Sequence, residues 1–208
     1  MNRVLGLILL ATAVFAAGCI GGKSVESSYL RVGNGSKLNP ACEKVKHGVP
    51  KLAIKRFTSL PALDRETVII AKGAVLKPDY RWSWEGTPAE IFDLAAGPAL
   101  SCMNSYEVVT PYRPGIERAL VLSGVIMSFE LQRSEGNKFI AAVRYSLWDG
   151  SGKNLLARKF IESSVAVERL DGASIASAAD KAMESVMNKT VNWIDSLGGE
   201  MLSQDQMR

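Results

Sequence analysis

ALVLSGVIMSFELQRSEGNKFIAAVRYSLWDGSGKNLLARKFIESSVAV, residues 119–167, is the stretch that decides the fold of this chain. Its apolar runs alternate with polar positions, as at Phe129 and Leu131, which is the two-residue period of a sheet with one covered face. The glycine-bearing segments 134–137 and 149–153 separate the runs and have the turn chemistry of hairpins. An antiparallel meander is therefore predicted, with strands Ala119–Gln132, Lys138–Trp148 and Leu155–Val167.

A long helix is predicted after the meander. Over residues 173–197, apolar side chains recur every three or four positions, as at Ala179, Met183 and Val186. Such a stripe can cover the apolar face of the sheet. Gly198–Gly199 are expected to end the helix, because glycine readily adopts the left-handed conformation of a C-cap.

A shorter helix and several shorter strands precede the meander. Thr87 is a good N-cap, and Pro88 and Glu90 complete the pattern of a capping box. The strands are predicted at Leu52–Phe57, Thr67–Ile70, Tyr80–Trp84 and Tyr106–Thr110. The sequence thus predicts a single two-layer α+β domain with a largely antiparallel sheet, whose C-terminal three-strand meander is covered by two helices.

The N-terminus, MNRVLGLILLATAVFAAGC, has the regions of a signal peptide. Arg3 leads into an apolar run, which small residues and Cys19 follow. The run is shorter than the roughly 20 apolar residues that span a bilayer. The cysteine makes the segment resemble a lipobox, which predicts a lipoprotein signal peptide over residues 1–18 and lipidation of Cys19. Ordinary signal cleavage after Gly18 is the alternative.

Three further regions follow from composition. Residues 19–50 are rich in Gly, Ser, Lys and Asn, and we expect the lipidated cysteine and a flexible tether there. Residues 51–197 hold the predicted elements and are expected to be the folded domain, and residues 198–208 a flexible tail.

Cys42 and Cys102 remain once Cys19 is assigned, and in an oxidising compartment they can form a disulfide. Alternatively, Cys102 is a small buried side chain on a helix face.

The sequence lacks the residues of common catalytic sites. His47 is the one histidine, which disfavours a histidine-based triad or metal centre. The phosphate-binding glycine loop and the GxSxG motif of hydrolases are absent as well. A formal net charge of +4, scattered along the chain, does not indicate nucleic-acid binding. We therefore expect no catalytic residues, no metal and no cofactor.

Two motifs resemble a known family. The chain is similar to the ABC-type transport auxiliary lipoproteins in two segments, LDRETVII (63–70) and YRWSWEGTP (80–88). The second segment opens a helix. The PqiC-like members serve the mammalian-cell-entry (MCE) lipid-transport pathways of Gram-negative envelopes, and the similarity covers about residues 51–197. It implies a non-catalytic lipoprotein that is anchored in the outer membrane and faces the periplasm. Its partner would be an MCE-domain substrate-binding protein, and lipid could be a second ligand.

Large aromatic residues and arginine are enriched at the centres of protein interfaces. The predicted contact residues are Tyr80, Arg81, Trp82, Trp84 and Trp148. Burial of Tyr80 and Trp82 in the core is the alternative, since large aromatic side chains are mostly buried. Two other functions stay open: regulation of a periplasmic or outer-membrane enzyme such as a peptidoglycan synthase, and direct binding of a lipid or small apolar ligand between sheet and helix.

Overall fold

The computed structural model describes residues 27–33, 45–134 and 136–205. Over these residues, one open sheet carries helices on one of its faces. The helices are α1 (Pro88–Leu100) and α2 (Gly172–Asp205). The strands are β1 (Ser28–Leu30), β2 (Lys51–Ile54), β3 (Thr58–Ser59), β4 (Thr67–Lys72), β5 (Val75–Trp84), β6 (Glu107–Val109), β7 (Leu120–Gln132), β8 (Lys138–Asp149) and β9 (Leu155–Ala166).

The predicted meander is confirmed and forms the largest part of the sheet. β7 pairs antiparallel with β8, and β8 pairs antiparallel with β9. The other edge of β7 is shared by β2, β3 and β4, which all run parallel to it. β6 extends the sheet beyond β2, while β5 and then β1 extend it beyond β4. The long antiparallel pairs dominate, so the predicted α+β fold is confirmed.

A cluster of aromatic rings fills the space between the sheet and the helices. Phe129 lies at its centre, with ring centroids 5.1 Å from Trp84, 5.8 Å from Phe92 and 4.9 Å from Phe139. Phe57 extends the cluster, with its ring 5.9 Å from that of Phe92. Several of these pairs meet edge to face, the arrangement that aromatic rings prefer. The cluster therefore joins α1 to the covered face of the sheet.

The predicted start of α1 is confirmed. The Thr87 backbone N–H donates to the Glu90 carboxylate at 2.8 Å, and the Thr87 hydroxyl accepts from the Glu90 N–H at 3.4 Å. The helical spacing of Ile91, Leu94 and Ala95 in the sequence predicts that Leu94 faces the core, but in the structure Phe92 is buried and Leu94 is 78% exposed. Phe92 belongs to the aromatic cluster, so the helix is rotated to bury the larger ring.

The predicted end of α2 is wrong. The helix continues through Gly198–Gly199 and ends at Asp205, so most of the segment expected to be a flexible tail is helical. A glycine inside a helix costs about 1 kcal/mol relative to alanine, which a long helix can tolerate. The good helix formers Glu200, Met201 and Leu202 follow the glycines. Among the described helices, none is long and apolar enough to cross a membrane.

Part of the predicted flexible tether belongs to the sheet. β1 pairs parallel with the end of β5, so that Ser28 lies opposite Trp82 and Leu30 opposite Trp84. Leu30 and Val32 are buried in the core. A three-residue strand carries too little periodicity to be recognised in a sequence. The folded domain therefore begins well before the predicted boundary at residue 51.

Candidate functional site

The three aromatic residues of β5 that are predicted contact residues differ in exposure. Trp84 is only 1% exposed and is a core residue, which excludes it from the predicted contact surface. Trp82 is half-buried and packs beside Gly172, at the start of α2. Tyr80 is 70% exposed. The helices cover only the C-terminal part of this strand, so burial falls along it from Trp84 to Tyr80.

Arg81 is exposed and makes a two-pronged ion pair with Asp79. Its Nη2 lies 2.6 Å from Asp79 Oδ2, and its Nε lies 2.9 Å from Oδ1. The guanidinium also stacks 4.3 Å from the ring centre of Trp82. The Arg81 hydrogen bonds hold the pKa of Asp79 below its usual value of 3.8. Arg81 thus neutralises Asp79 and fixes the shape of β5 at this point.

A cleft of about 730 Å³ lies between the β4–β5 hairpin and the end of β7. The Gly73 N–H in the hairpin turn donates to Ser134 Oγ at 2.6 Å, which ties the turn to the residues that follow β7. Three of the lining side chains are cations. The residues that line the cleft are Ile70, Lys72, Val75, Lys77, Pro78, Asp79, Tyr80 and Arg133.

The cationic side of this cleft could not be recognised in the sequence. Lys72 and Lys77 flank a turn, while Arg133 lies far away in the chain. The parallel pairing of β4 with β7, which places Ala71 opposite Gln132, brings Arg133 to the cleft. Within the residues that the structure describes, these three cations make no ion pair. The cleft can therefore receive an anionic group.

Trp148 lies at the other end of the sheet from Tyr80 and Arg81. It pairs with Val121 at the start of β7, whereas β4 joins β7 at Glu130. At about 3.3 Å per residue, these two positions on β7 are roughly 30 Å apart. The structure therefore does not bring the predicted contact residues together in one site.

Trp148 is half-buried on the sheet face turned away from the helices. Its indole Nε1 donates to Ser123 Oγ at 3.2 Å. Leu155 of β9 pairs with Trp148 and Phe160 pairs with Arg144, so both share this face, and Phe160 is 55% exposed. The sequence did not identify Phe160, because it lies next to Ile161 in a run where strict alternation fails. We call Trp148, Leu155 and Phe160 the far-end patch.

Cys102 is disulfide-bonded and lies two residues after the end of α1. Its predicted partner, Cys42, lies outside the described residues, so the pairing stays a prediction. The contacts of Lys46, four residues after Cys42, agree with this pairing. Its Nζ donates to the carbonyl oxygen of Ser101 at 2.8 Å and also to that of Met103. The chain shortly after Cys42 thus lies beside Cys102. Cys19 is also outside the described residues.

Three aspartates of the described domain accept hydrogen bonds from backbone amides of loops that lie far away in the chain. Asp93 Oδ1 accepts from the Phe57 N–H at 2.7 Å, and Asp180 Oδ1 accepts from the Gly33 N–H at 2.8 Å. Asp195 accepts from the N–H of Ser105 at 3.1 Å. Partial burial raises the pKa of Asp93 above its usual value of 3.8. These contacts hold loops against the helices.

No family model and no curated protein matches the chain. Several solved structures are similar to the chain. Protein XCC0632 from Xanthomonas campestris, described under the family model DUF330, matches with a TM-score of 0.70 and 15% identity, over 86% of this chain and 99% of that one. An uncharacterized protein matches with a TM-score of 0.62 and 9% identity, over 81% of this chain and 98% of that one. At these identities, the likeness shows a shared fold.

Proposed function

We propose that this chain is a non-catalytic lipoprotein of the outer membrane that faces the periplasm. It serves as an auxiliary component of an ABC-type, MCE-linked lipid-transport system, where it docks the transport conduit to the membrane. The observation that carries the proposal is the placement of β1. Only nine residue steps separate Cys19 from Ser28, so the proposed anchor and the first strand of the sheet are close together in the chain. The PqiC-like motifs and the fold shared with a DUF330 protein agree with it.

A docking role requires a rigid body at the end of a short tether. Nine residue steps span at most about 30 Å when fully extended. Several acyl chains on Cys19, at about 0.8 kcal/mol per buried methylene, would give lasting anchorage. The domain is thereby held near the membrane, and its far end is available to a component that approaches from the periplasm.

The use of the carboxylates supports a non-catalytic role. General acid–base chemistry with paired carboxylates needs two groups in one cleft with pKa values pushed apart. Asp93, Asp180 and Asp195 instead bind backbone amides in separate places. Asp79 in the cleft is neutralised by Arg81. These four aspartates therefore stabilise the fold and are not arranged as a catalytic pair.

The far-end patch is the surface that suits the MCE-domain partner. Trp148 and Leu155 lie roughly 30 Å along β7 from Glu130, where β4 joins, and Phe160, level with Val125, lies about 16 Å from it. Phe160 and Trp148 supply the aromatic side chains that dominate many interfaces. Tyr80 and Arg81, by contrast, lie beside the strand that leads back to the anchor.

Co-purification from detergent-solubilised envelopes tests this function. The wild-type protein should retain an MCE-domain protein, identified by mass spectrometry, and Phe160→Ala and Trp148→Ala should each reduce its recovery about tenfold or more. Tyr80→Ala is the matched control, because it removes an exposed aromatic ring at the opposite end. If the wild-type protein retains no MCE-domain protein, the function is wrong. If only Tyr80→Ala loses the partner, the assigned surface is wrong.

Lipidation is tested separately at Cys19. Growth with labelled palmitate should label the wild-type protein, and mass spectrometry should find the lipid on the fragment that begins with Cys19. The Cys19→Ala variant should stay unlabelled. A mature N-terminus at Cys19 without lipid mass would refute the anchor and, with it, the docking role.

The two alternative functions gain less support. A regulator of a distant cell-wall enzyme would need a longer reach than about 30 Å. A lipid bound between sheet and helix would need an apolar cavity there. The aromatic cluster around Phe129 fills that layer in the described domain.

A further inference from the structure

The cleft beside the β4–β5 turn has an excess of positive charge. Lys72, Lys77 and Arg133 line it, and its one carboxylate, Asp79, is already paired with Arg81. Within the described part of the chain, no ion pair compensates the three cations. The local charge therefore favours an anionic surface or ligand.

Apolar side chains are exposed at the same turn. Val75 is 54% exposed and Leu76 is 40% exposed, and the exposed ring of Tyr80 lies nearby in the cleft. Basic residues are attracted to anionic lipid headgroups, and tyrosine is enriched where protein meets the membrane interface. A turn with lysines, aliphatic side chains and a tyrosine has the composition of a membrane-contacting surface.

The direction of β1 and the length of chain before it allow the anchor to lie near this turn. Because β1 runs parallel to β5 with Ser28 opposite Trp82, the chain that precedes Ser28 enters the domain from the side of the turn. From Trp82 back to Val75, β5 spans about 23 Å. The chain from Cys19 to Ser28 spans at most about 30 Å. The segment between Cys19 and Ser28 is therefore long enough for the anchor to lie level with the turn.

We propose that the β4–β5 turn docks onto the anionic phospholipid headgroups of the membrane in which Cys19 is anchored. Lys72, Lys77 and Arg133 contact the phosphates, and Val75 and Leu76 lie among the headgroups. The proposal rests on the lipidation of Cys19 that belongs to the proposed function. It adds that the domain is held in one orientation, with the far-end patch pointing away from the bilayer.

Hydrogen exchange on the full lipidated protein in vesicles tests this orientation. The protein, with lipid on Cys19 verified by mass, is reconstituted into vesicles of phosphatidylcholine alone or of phosphatidylcholine with phosphatidylglycerol. Amides of residues 72–81 should exchange roughly tenfold more slowly in the anionic vesicles, and high salt should remove the difference. Lys72→Glu/Lys77→Glu should abolish the protection. The matched control, Lys153→Glu/Lys159→Glu, makes the same charge change on the β8–β9 hairpin, away from the turn, and should keep the protection.

Each other outcome overturns the docking. Equal exchange of residues 72–81 in both vesicle types would show that the turn does not contact anionic lipid. Equal loss of protection in both double variants would show an effect of net charge only. The same protection by inorganic phosphate without vesicles would assign the cleft to a soluble anion. Absence of lipid on Cys19 would instead refute the proposed function, so the two failures are distinguishable.

Discussion

At Gly124, the backbone of β7 lies directly against an aromatic ring. A Cβ atom at this position would lie 2.3 Å from Cε1 of Phe57 and 3.1 Å from Cγ1 of Val143. Overpacking a filled core forces side chains off their rotamers and typically costs 1–3 kcal/mol. Gly124→Ala is therefore expected to lower the free energy of unfolding by about 1–3 kcal/mol, measured by urea denaturation monitored by circular dichroism.

A double-mutant cycle identifies the cause of this loss. Phe57→Ala alone should destabilise the protein by about 3–5 kcal/mol, because it removes a buried ring. In that background, Gly124→Ala should cost much less than in the wild type, since the clashing ring is gone. Additive effects within about 0.5 kcal/mol would contradict the role of the Phe57–Gly124 contact.

Among the turns, the one between β8 and β9 depends most clearly on a single carboxylate. Asp149 accepts hydrogen bonds from Ser151 Oγ at 2.7 Å, from Asn154 Nδ2 at 2.6 Å and from the Lys153 N–H at 3.1 Å. The Ser151 hydroxyl, followed by the Asn154 and Lys153 donors, lowers the pKa of Asp149 to about 2 from 3.8. The ionised carboxylate thus organises the hairpin.

The pH dependence of this turn follows from the lowered pKa. The stability that Asp149 contributes is fully present above the ordinary value of 3.8 and is lost as the pH falls towards about 2. Wild type should therefore melt at a higher temperature than Asp149→Ala at pH 5, and the difference should shrink towards pH 2. Glu168→Ala, at another exposed carboxylate, is the control. A difference that stays constant over this range would contradict the assignment.

The elements that the sequence predicted well are those with long local patterns. The meander strands and the stripe of α2 repeat their apolar period over many residues, and the capping box at Thr87 is a local signature. β1 and β3 are two or three residues long and form only through parallel partners that lie far away in the chain. Their existence depends on β5 and β7, so no local pattern predicts them.

The same limit applied to the candidate surfaces. The aromatic residues of β5 were visible in the sequence, but the depth of each ring depends on its tertiary neighbours. Trp84 packs against Phe129 and Phe139, whereas Tyr80 is exposed. Arg133 reaches the cleft only through the pairing of β4 with β7. Sequence reasoning thus found the residue types, whereas their grouping into two ends of the molecule required the sheet topology.

At the scale of the whole molecule, β7 separates an anchor end from a far end. β4 pairs with its C-terminal half and is followed in the sheet by β5 and β1, whereas Trp148 pairs at its start. The chain from the proposed lipid on Cys19 enters beside β5, so β7 acts as a spacer that holds Trp148 and Leu155 roughly 30 Å, and Phe160 about 16 Å, from the level where β4 joins it. This spacing sets the distance of the far-end patch from the membrane only if the tether between Cys19 and Ser28 stays short.

Lengthening the tether therefore separates anchorage from positioning. An insertion of about 20 Gly/Ser residues between Cys19 and Ser28 raises the maximum reach from about 30 Å to roughly 100 Å. Folding, lipidation and the protein level should be unchanged, yet the variant should fail to restore detergent resistance to a deletion strain. The same insertion after Arg208 is the control and should restore resistance. If the tether variant restored it fully, the lipid would serve only to localise the protein, since a fixed distance between membrane and far-end patch would then be unnecessary.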